Sequence, residues 1–213
     1  MEVFSMHVPN LKTSEKNSII IYKNSMKCHM KNLIKIPVKT TYLEMHTRPQ
    51  HIVTATPENV NIEEWNYPTA SEYLEIYRKV GSPWGWTGRL LLSETELNAE
   101  LKSAHNKIFR IFHQNHFAGF IEFSQWDTSE PEILYFGLLQ AFTGKGIGGF
   151  FLKWGIMKAW NNPITKLWLH TCEYDHPNAL NVYQKVGFEI KEVQTSYEYY
   201  DDAFLEEWKK QHS

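Results

Sequence analysis

Beyond residue 40, apolar positions recur at two spacings, and the switches between them divide the chain into elements. Residues 41–45 read as a first strand. Tyr73, Tyr77 and Val80 then recur at helical spacing, as do Leu97, Leu101 and Ala104. Both helices carry a start signal. Thr69 with Glu72, and Ser93 with Glu96, are capping boxes: the hydroxyl accepts the backbone N–H three residues on, and the glutamate reaches back. Gly81 closes the first helix. Strand-like runs at 107–113, 117–124 and 132–139 are separated by short polar turns, which predicts an antiparallel meander. A helix with Ile147, Phe150, Phe151, Trp154 and Met157 on its buried side comes next, then a strand at 166–171. Asp175, His176 and Pro177 have helix-start chemistry, and the helix after them places Ala179, Val182, Tyr183 and Val186 on one face before Gly187. Residues 188–193 and 195–200 complete the sheet. The order β-α-α-β-β-β-α-β-α-β predicts an α/β fold with a mixed sheet.

Composition changes this picture at the ends of the chain. Residues 1–39 are rich in Lys, Asn and Ser with little periodicity, and read as a flexible basic N-terminal extension. Residues 40–200 are then one domain, and 201–213 a C-terminal tail with a short helix. With 42% hydrophobic and 15% aromatic residues in 213, the chain has ample material for one core. The net charge of -2 conceals +5 on the extension and -7 on the remainder. An acidic body repels phosphate backbones, so no nucleic-acid partner is expected for it. It attracts a cationic amine, although a plain solvated surface has the same composition.

Other classes are excluded on spacing. Cys28 and Cys172 form neither a disulfide framework nor a cysteine zinc site, and the ten histidines form no H-E-x-x-H, so no metal is expected. His170 and Cys172 share a strand face, but a nucleophile pair there lacks an evident third, orienting residue. No apolar run approaches the ~20 residues that span a bilayer, so neither a membrane partner nor a secretory route is expected, and the cytoplasm is the expected location.

The candidate chemistry lies in Thr143, Gly144, Lys145, Gly146, Ile147, Gly148 and Gly149, between a strand and a helix. Glycines let backbone approach a ligand closely, and the helix start aims unpaired N–H groups at an anion. A phosphate ligand is predicted, with Lys145 adding charge. Gly144, Gly146 and Gly149 also satisfy G-x-G-x-x-G, which would point to a dinucleotide-dependent oxidoreductase. A Rossmann unit opens its fold with this loop, however, and here a meander precedes it. A Walker A loop needs Ser or Thr after the lysine, where Gly146 stands.

Residues 132–148, EILYFGLLQAFTGKGIG, resemble motif A of the GNAT (Gcn5-related) N-acetyltransferases, and 178–188, NALNVYQKVGF, resemble their motif B. The resemblance spans about residues 40–200 in element order. It implies the GNAT acyl-CoA N-acyltransferase fold, with splayed central strands and acetyl-CoA as co-substrate between them. Gly137, in mid-strand, is read independently as a bulge. The resemblance further implies that backbone groups of Leu138, Leu139 and Gln140 pair with the pantetheine arm. The Leu138 N–H would polarise the thioester carbonyl, and Asn178 would bind pantetheine or serve the helix start. The family usually has Arg or Gln where Thr143 stands; its hydroxyl would donate to a phosphate instead.

In the implied reaction, the primary amine of a small molecule or peptide attacks acetyl-CoA directly in a ternary complex. An alkyl amine titrates near ~10, so a base or water relay must take its proton. Glu132 is the first candidate and Glu122 the second, while Tyr183 would protonate the departing thiolate or else be a core tyrosine. Trp84, Trp86 and Arg89, between the two early helices, are candidate acceptor contacts: the tryptophans would box a cationic or aromatic group and Arg89 would pair with a carboxylate. Packing against the sheet is the other role open to the tryptophans. A homodimer is common among proteins of this resemblance. The rival reading is an inactive acyl-CoA-binding sensor.

Overall fold

The computed structural model describes residues 32–50 and 56–212. Seven strands make one sheet, in the order β2-β3-β4-β5-β6-β1-β7. They are β1 (Leu33–Met45), β2 (Val60–Glu64), β3 (Lys107–His113), β4 (His116–Ser124), β5 (Glu132–Leu138), β6 (Leu167–Cys172) and β7 (Glu189–Asp201). The helices are α1 (Ala70–Gly81), α2 (Glu94–Lys102), α3 (Ile147–Ala159), α4 (Ala179–Lys185) and α5 (Asp202–His212). This is the mixed α/β fold that the sequence predicts. All neighbouring strands are antiparallel except β5 and β6.

Local rules place the helices. Both capping boxes form as expected, Thr69 with Glu72 and Ser93 with Glu96. Tyr73, Tyr77 and Val80 of α1 are buried on β4 with Leu97, Leu101, Ile108 and Phe120. The opposite face of the sheet carries α3 and the main core, including Ile121, Phe123, Phe151, Leu152, Ile156 and Leu167. The buried side of α3 differs from the predicted one: Leu152, Gly155, Ile156 and Ala159 are buried, and Trp154 and Met157 are only half-buried. The helix is apolar nearly all round, so spacing alone does not choose its inner face. Gly155 makes the choice, because a Cβ there would lie 2.6 Å from Ile121 and hold the helix off the sheet.

The sheet margins also depart from the expectation. β1 starts at Leu33, so residues 33–39, assigned by composition to the extension, pair with β7 instead. Residues 1–31 lie outside the described region. β2 was not anticipated; its five residues, VNIEE, are too short and polar for a strand signal, and pairing with β3 supplies the rest. The two final strand segments are one continuous strand, and the tail folds as α5 over Val38 and Tyr200.

β5 and β6 are joined at only two positions, Glu132 with Trp168 and Ile133 with Leu169. The cause is in β5. Glu122 pairs with Tyr135 and Phe123 with Ile133, so Leu134 is an extra residue that bends the strand. The irregularity is therefore at Leu134 and not at Gly137. Gly137 is needed for another reason: a Cβ there would lie 2.5 Å from Val80 and 3.3 Å from Trp86.

Candidate functional site

Past Ile133 the two parallel strands part, and the facing backbone edges of β5 and β6 have no strand between them. Along β5 the N–H direction alternates. Leu139 N–H donates to Ala118 O at 2.8 Å, on the β4 side, so the N–H of Leu138 is directed into the gap. Leu139 itself is occupied, since its carbonyl accepts the Phe142 N–H at 2.9 Å. The carbonyl of Gln140 is also taken, accepting Thr143 N–H at 3.1 Å and Thr143 Oγ1 at 2.8 Å. Of the three residues expected to pair with a ligand arm, Leu138 has the N–H aimed at it. Thr143 spends its hydroxyl proton on the loop, not on the space a phosphate would fill.

The loop then turns at Gly144 (φ 73°) and Gly146 (φ 78°), both in the left-handed region where other residues are strained. The first helical bond of α3 runs from Phe150 N–H to Gly146 O at 3.1 Å. The N–H groups of Ile147, Gly148 and Gly149 precede it and have no helical carbonyl to donate to. A Cβ added at Gly144, Gly146 or Gly149 would meet nothing within 4 Å, whereas one at Gly148 would reach Leu138 Cδ1 at 3.2 Å. The helix start thus faces open space beside the strand gap, with Lys145 Nζ over the Phe142 ring at 5.5 Å. An extended ligand with an anionic group fits this outline.

Tyr183 of α4 is half-buried against the main core, edge-on to Phe188 at 6.4 Å. Burial, then the nearby Asp175 carboxylate, pushes its hydroxyl well above the ordinary range, so it stays protonated. Asn178 precedes α4 without capping it; its Oδ1 accepts Asn181 Nδ2 at 2.9 Å. The expected capping role of Asp175 is replaced by another: it accepts Thr171 Oγ1 at 2.7 Å and Cys172 N–H at 3.0 Å, fixing the end of β6.

The connection from α1 to α2 crosses over this end of the sheet. Trp86 packs on Tyr77 and Tyr135, with ring centroids 5.6 and 5.1 Å away, and its Nε1 reaches Asp175 Oδ1 at 3.5 Å. Trp84 lies on His176 at 5.0 Å. Both tryptophans therefore tie this connection to the β6–α4 loop. Arg89 is buried and ion-paired with Glu122, which also accepts Tyr73 Oη. Glu122 is fully buried, so neither member of the pair presents a free charge to a ligand. The expected contact of Arg89 with an acceptor carboxylate and the expected base role of Glu122 both give way to this internal pair.

Glu132 is buried too, but at the fork where the strands part. Its Oε2 accepts Ser124 Oγ at 2.7 Å, and its Oε1 lies 3.0 Å from His170 Nδ1. His170 is the first residue of β6 beyond the last β5–β6 pair, and its ring lies against Tyr42 at 5.7 Å. The third residue missing from the sequence reading of His170 and Cys172 is thus Glu132, and it serves the histidine alone. Cys172 is half-buried, 3.4 Å from Tyr200 Oη, with its thiol pushed up to about 12 by desolvation and the Asp175 charge. Among the described residues no group of three or more His, Cys, Asp and Glu is arranged to hold a metal, and no helix is long and apolar enough to cross a membrane.

Fold and site define a mixed-sheet α/β protein whose central parallel strands part above a glycine-lined helix start. The family model described as the acetyltransferase (GNAT) family matches residues 67–188, more than half of the chain. The chain belongs to the GNAT acetyltransferases. No curated protein sequence matches it. Solved structures share the fold at low identity. One is a GCN5-related N-acetyltransferase from Sphaerobacter thermophilus (14% identity, TM-score 0.56, 76% of this chain and 52% of that one). Another is a putative GNAT acetyltransferase from Novosphingobium aromaticivorans (11%, 0.55, 80% and 68%). A third is a functionally unknown conserved protein from Staphylococcus epidermidis (13%, 0.54, 78% and 63%). The chain thus spans less than two thirds of the length of two of these three.

Proposed function

We propose that this protein transfers the acetyl group of acetyl-CoA to a primary amine of a small molecule or peptide, by direct attack in a ternary complex. The observation that carries the reading is the two-residue contact of β5 with β6, which opens into a gap leading to the uncapped start of α3. Acetyl-CoA, when bound, supplies an activated thioester carbonyl. The N–H groups of Ile147, Gly148 and Gly149 suit its pyrophosphate, and Gly144, Gly146 and Gly149 leave room for it. The Leu138 N–H, directed into the gap, suits the carbonyl oxygen as negative charge develops there. Tyr183, kept protonated, is the proton donor for the leaving thiolate.

The inactive-sensor reading has in its favour that the Thr143 hydroxyl is spent on the Gln140 carbonyl and that Arg89 is buried in an internal ion pair. The hydrogen-bonded His170–Glu132–Ser124 set at the fork favours the enzyme, because a sensor has no need of a paired imidazole there. The test is release of CoA from acetyl-CoA in the presence of spermidine, tyramine, sisomicin, lysine or a short peptide. Amine-dependent release is expected, and Tyr183→Phe should reduce it by roughly 10²-fold or more while leaving acetyl-CoA affinity intact. Binding without release by any amine would favour the sensor.

A further inference from the structure

We propose that His170, held by Glu132, is the base that takes the proton from the acceptor amine. This rests on the acetyl-transfer reading and assigns the residue that performs its proton step. The fork gives one histidine a defined orientation. Its Nδ1 faces Glu132 Oε1 at 3.0 Å, and Glu132 is itself fixed by Ser124 Oγ at 2.7 Å. Glu132 as carboxylate selects the tautomer with the proton on Nδ1, which leaves a lone pair on Nε2. The ring is kept in place by Tyr42 at 5.7 Å and Trp168 at 6.5 Å. Strand pairing contributes as well, since Tyr42 on β1 is directly opposite His170 on β6.

Position fits the role. His170 is the residue at which β6 leaves β5, so it borders the gap at the end remote from the start of α3. The phosphate-compatible helix start and the reacting end of an extended ligand are thereby placed at opposite ends of one gap. Glu132, buried and hydrogen-bonded on both oxygens, is a positioning residue. In the step itself, His170 Nε2 accepts a proton from the amine as nitrogen bonds to the acetyl carbon. The carbon–sulfur bond then breaks, and the thiolate leaves with a proton from Tyr183.

The charged and titratable groups around the ring come from several elements: Glu132 of β5, Glu198 of β7, Asp175 after β6, and Tyr42 of β1. Burial of the ring disfavours its protonation, but Glu132, with Glu198 and Asp175, outweighs this and raises its pKa above 6.5. A base must be neutral, so turnover should rise with pH through that raised pKa. Glu132→Gln removes the largest stabiliser of the imidazolium, and the rise should move to lower pH.

The experiment measures CoA release by the full chain against pH, with acetyl-CoA and saturating spermidine or tyramine, together with acetyl-CoA affinity for each variant. His170→Gln is expected to lower kcat about 10²- to 10⁴-fold and abolish the pH limb, with acetyl-CoA affinity unchanged. Added imidazole should restore part of the rate in His170→Ala. Wild-type activity combined with an unaltered rate and pH limb in His170→Gln would overturn the proposal. So would a limb lost only in Glu132→Gln, which would make the carboxylate the base. An inactive wild type would instead overturn acetyl transfer itself, and the base with it.

Discussion

Arg89 and Glu122 show how burial decides what a charged residue can do. On a surface either would be a ligand contact, but here they pair with each other in the core under α1, with Glu100 beside Arg89 and Tyr73 donating to Glu122. Removing Arg89 leaves the buried Glu122 carboxylate, among the described residues, with only the Tyr73 hydroxyl donating to it, which costs about 3–5 kcal/mol, whereas replacing both members removes that penalty; Arg89 itself also lies 3.8 Å from Glu100. Arg89→Met should therefore lower stability by about that amount in urea unfolding. The double variant Arg89→Met with Glu122→Gln should lose clearly less than the sum of the two single changes. Additive losses would mean that the pair does not act as a unit. Glu132 and His170 form the contrasting case, since this pair has one partner buried and the other at the edge of a gap.

At the level of elements, what could be read from the sequence was what local chemistry determines. The capping boxes at Thr69 and Ser93 need only four residues each, and both form. The glycine run from 144 to 149 needs only its own backbone and the helix after it, and its place between β5 and α3 is as expected. Features set by distant partners were not legible. β2 and the start of β1 depend on β3 and β7, and residues 33–39 carry the lysines of a tail. His170 and Glu132 are 38 residues apart and meet only because β6 is placed beside β5. The alternation of His170 with Leu167 and Leu169 marked its face, but not its partner. Gly149 offers a test at this scale. A Cβ there meets nothing, and alanine is the better helix former by up to about 1 kcal/mol. Gly149→Ala should leave thermal stability equal or higher yet weaken acetyl-CoA binding, because the methyl enters the space assigned to the ligand. Undiminished affinity would place the ligand elsewhere.

The whole molecule divides its tasks along the sheet. The α3 and α4 face holds the main core and the helix start, while the other face is covered by α1, α2 and the crossing connection with Trp84 and Trp86. The family match ends at residue 188, before β7 and α5, and begins after β1 and β2. Yet β1 lies between β6 and β7 and brings Tyr42 against His170. The proposed donor side thus lies in the matched region, and the wall beside the proposed base comes from a strand outside it. The gap between β5 and β6 unites these parts, and its ligand is the central claim. The most direct measurement is calorimetric titration of the full chain with acetyl-CoA, alongside NADH and ATP. Saturable binding of acetyl-CoA, with neither NADH nor ATP bound comparably, is the predicted result. Absence of acetyl-CoA binding, or preference for the dinucleotide, would contradict the account.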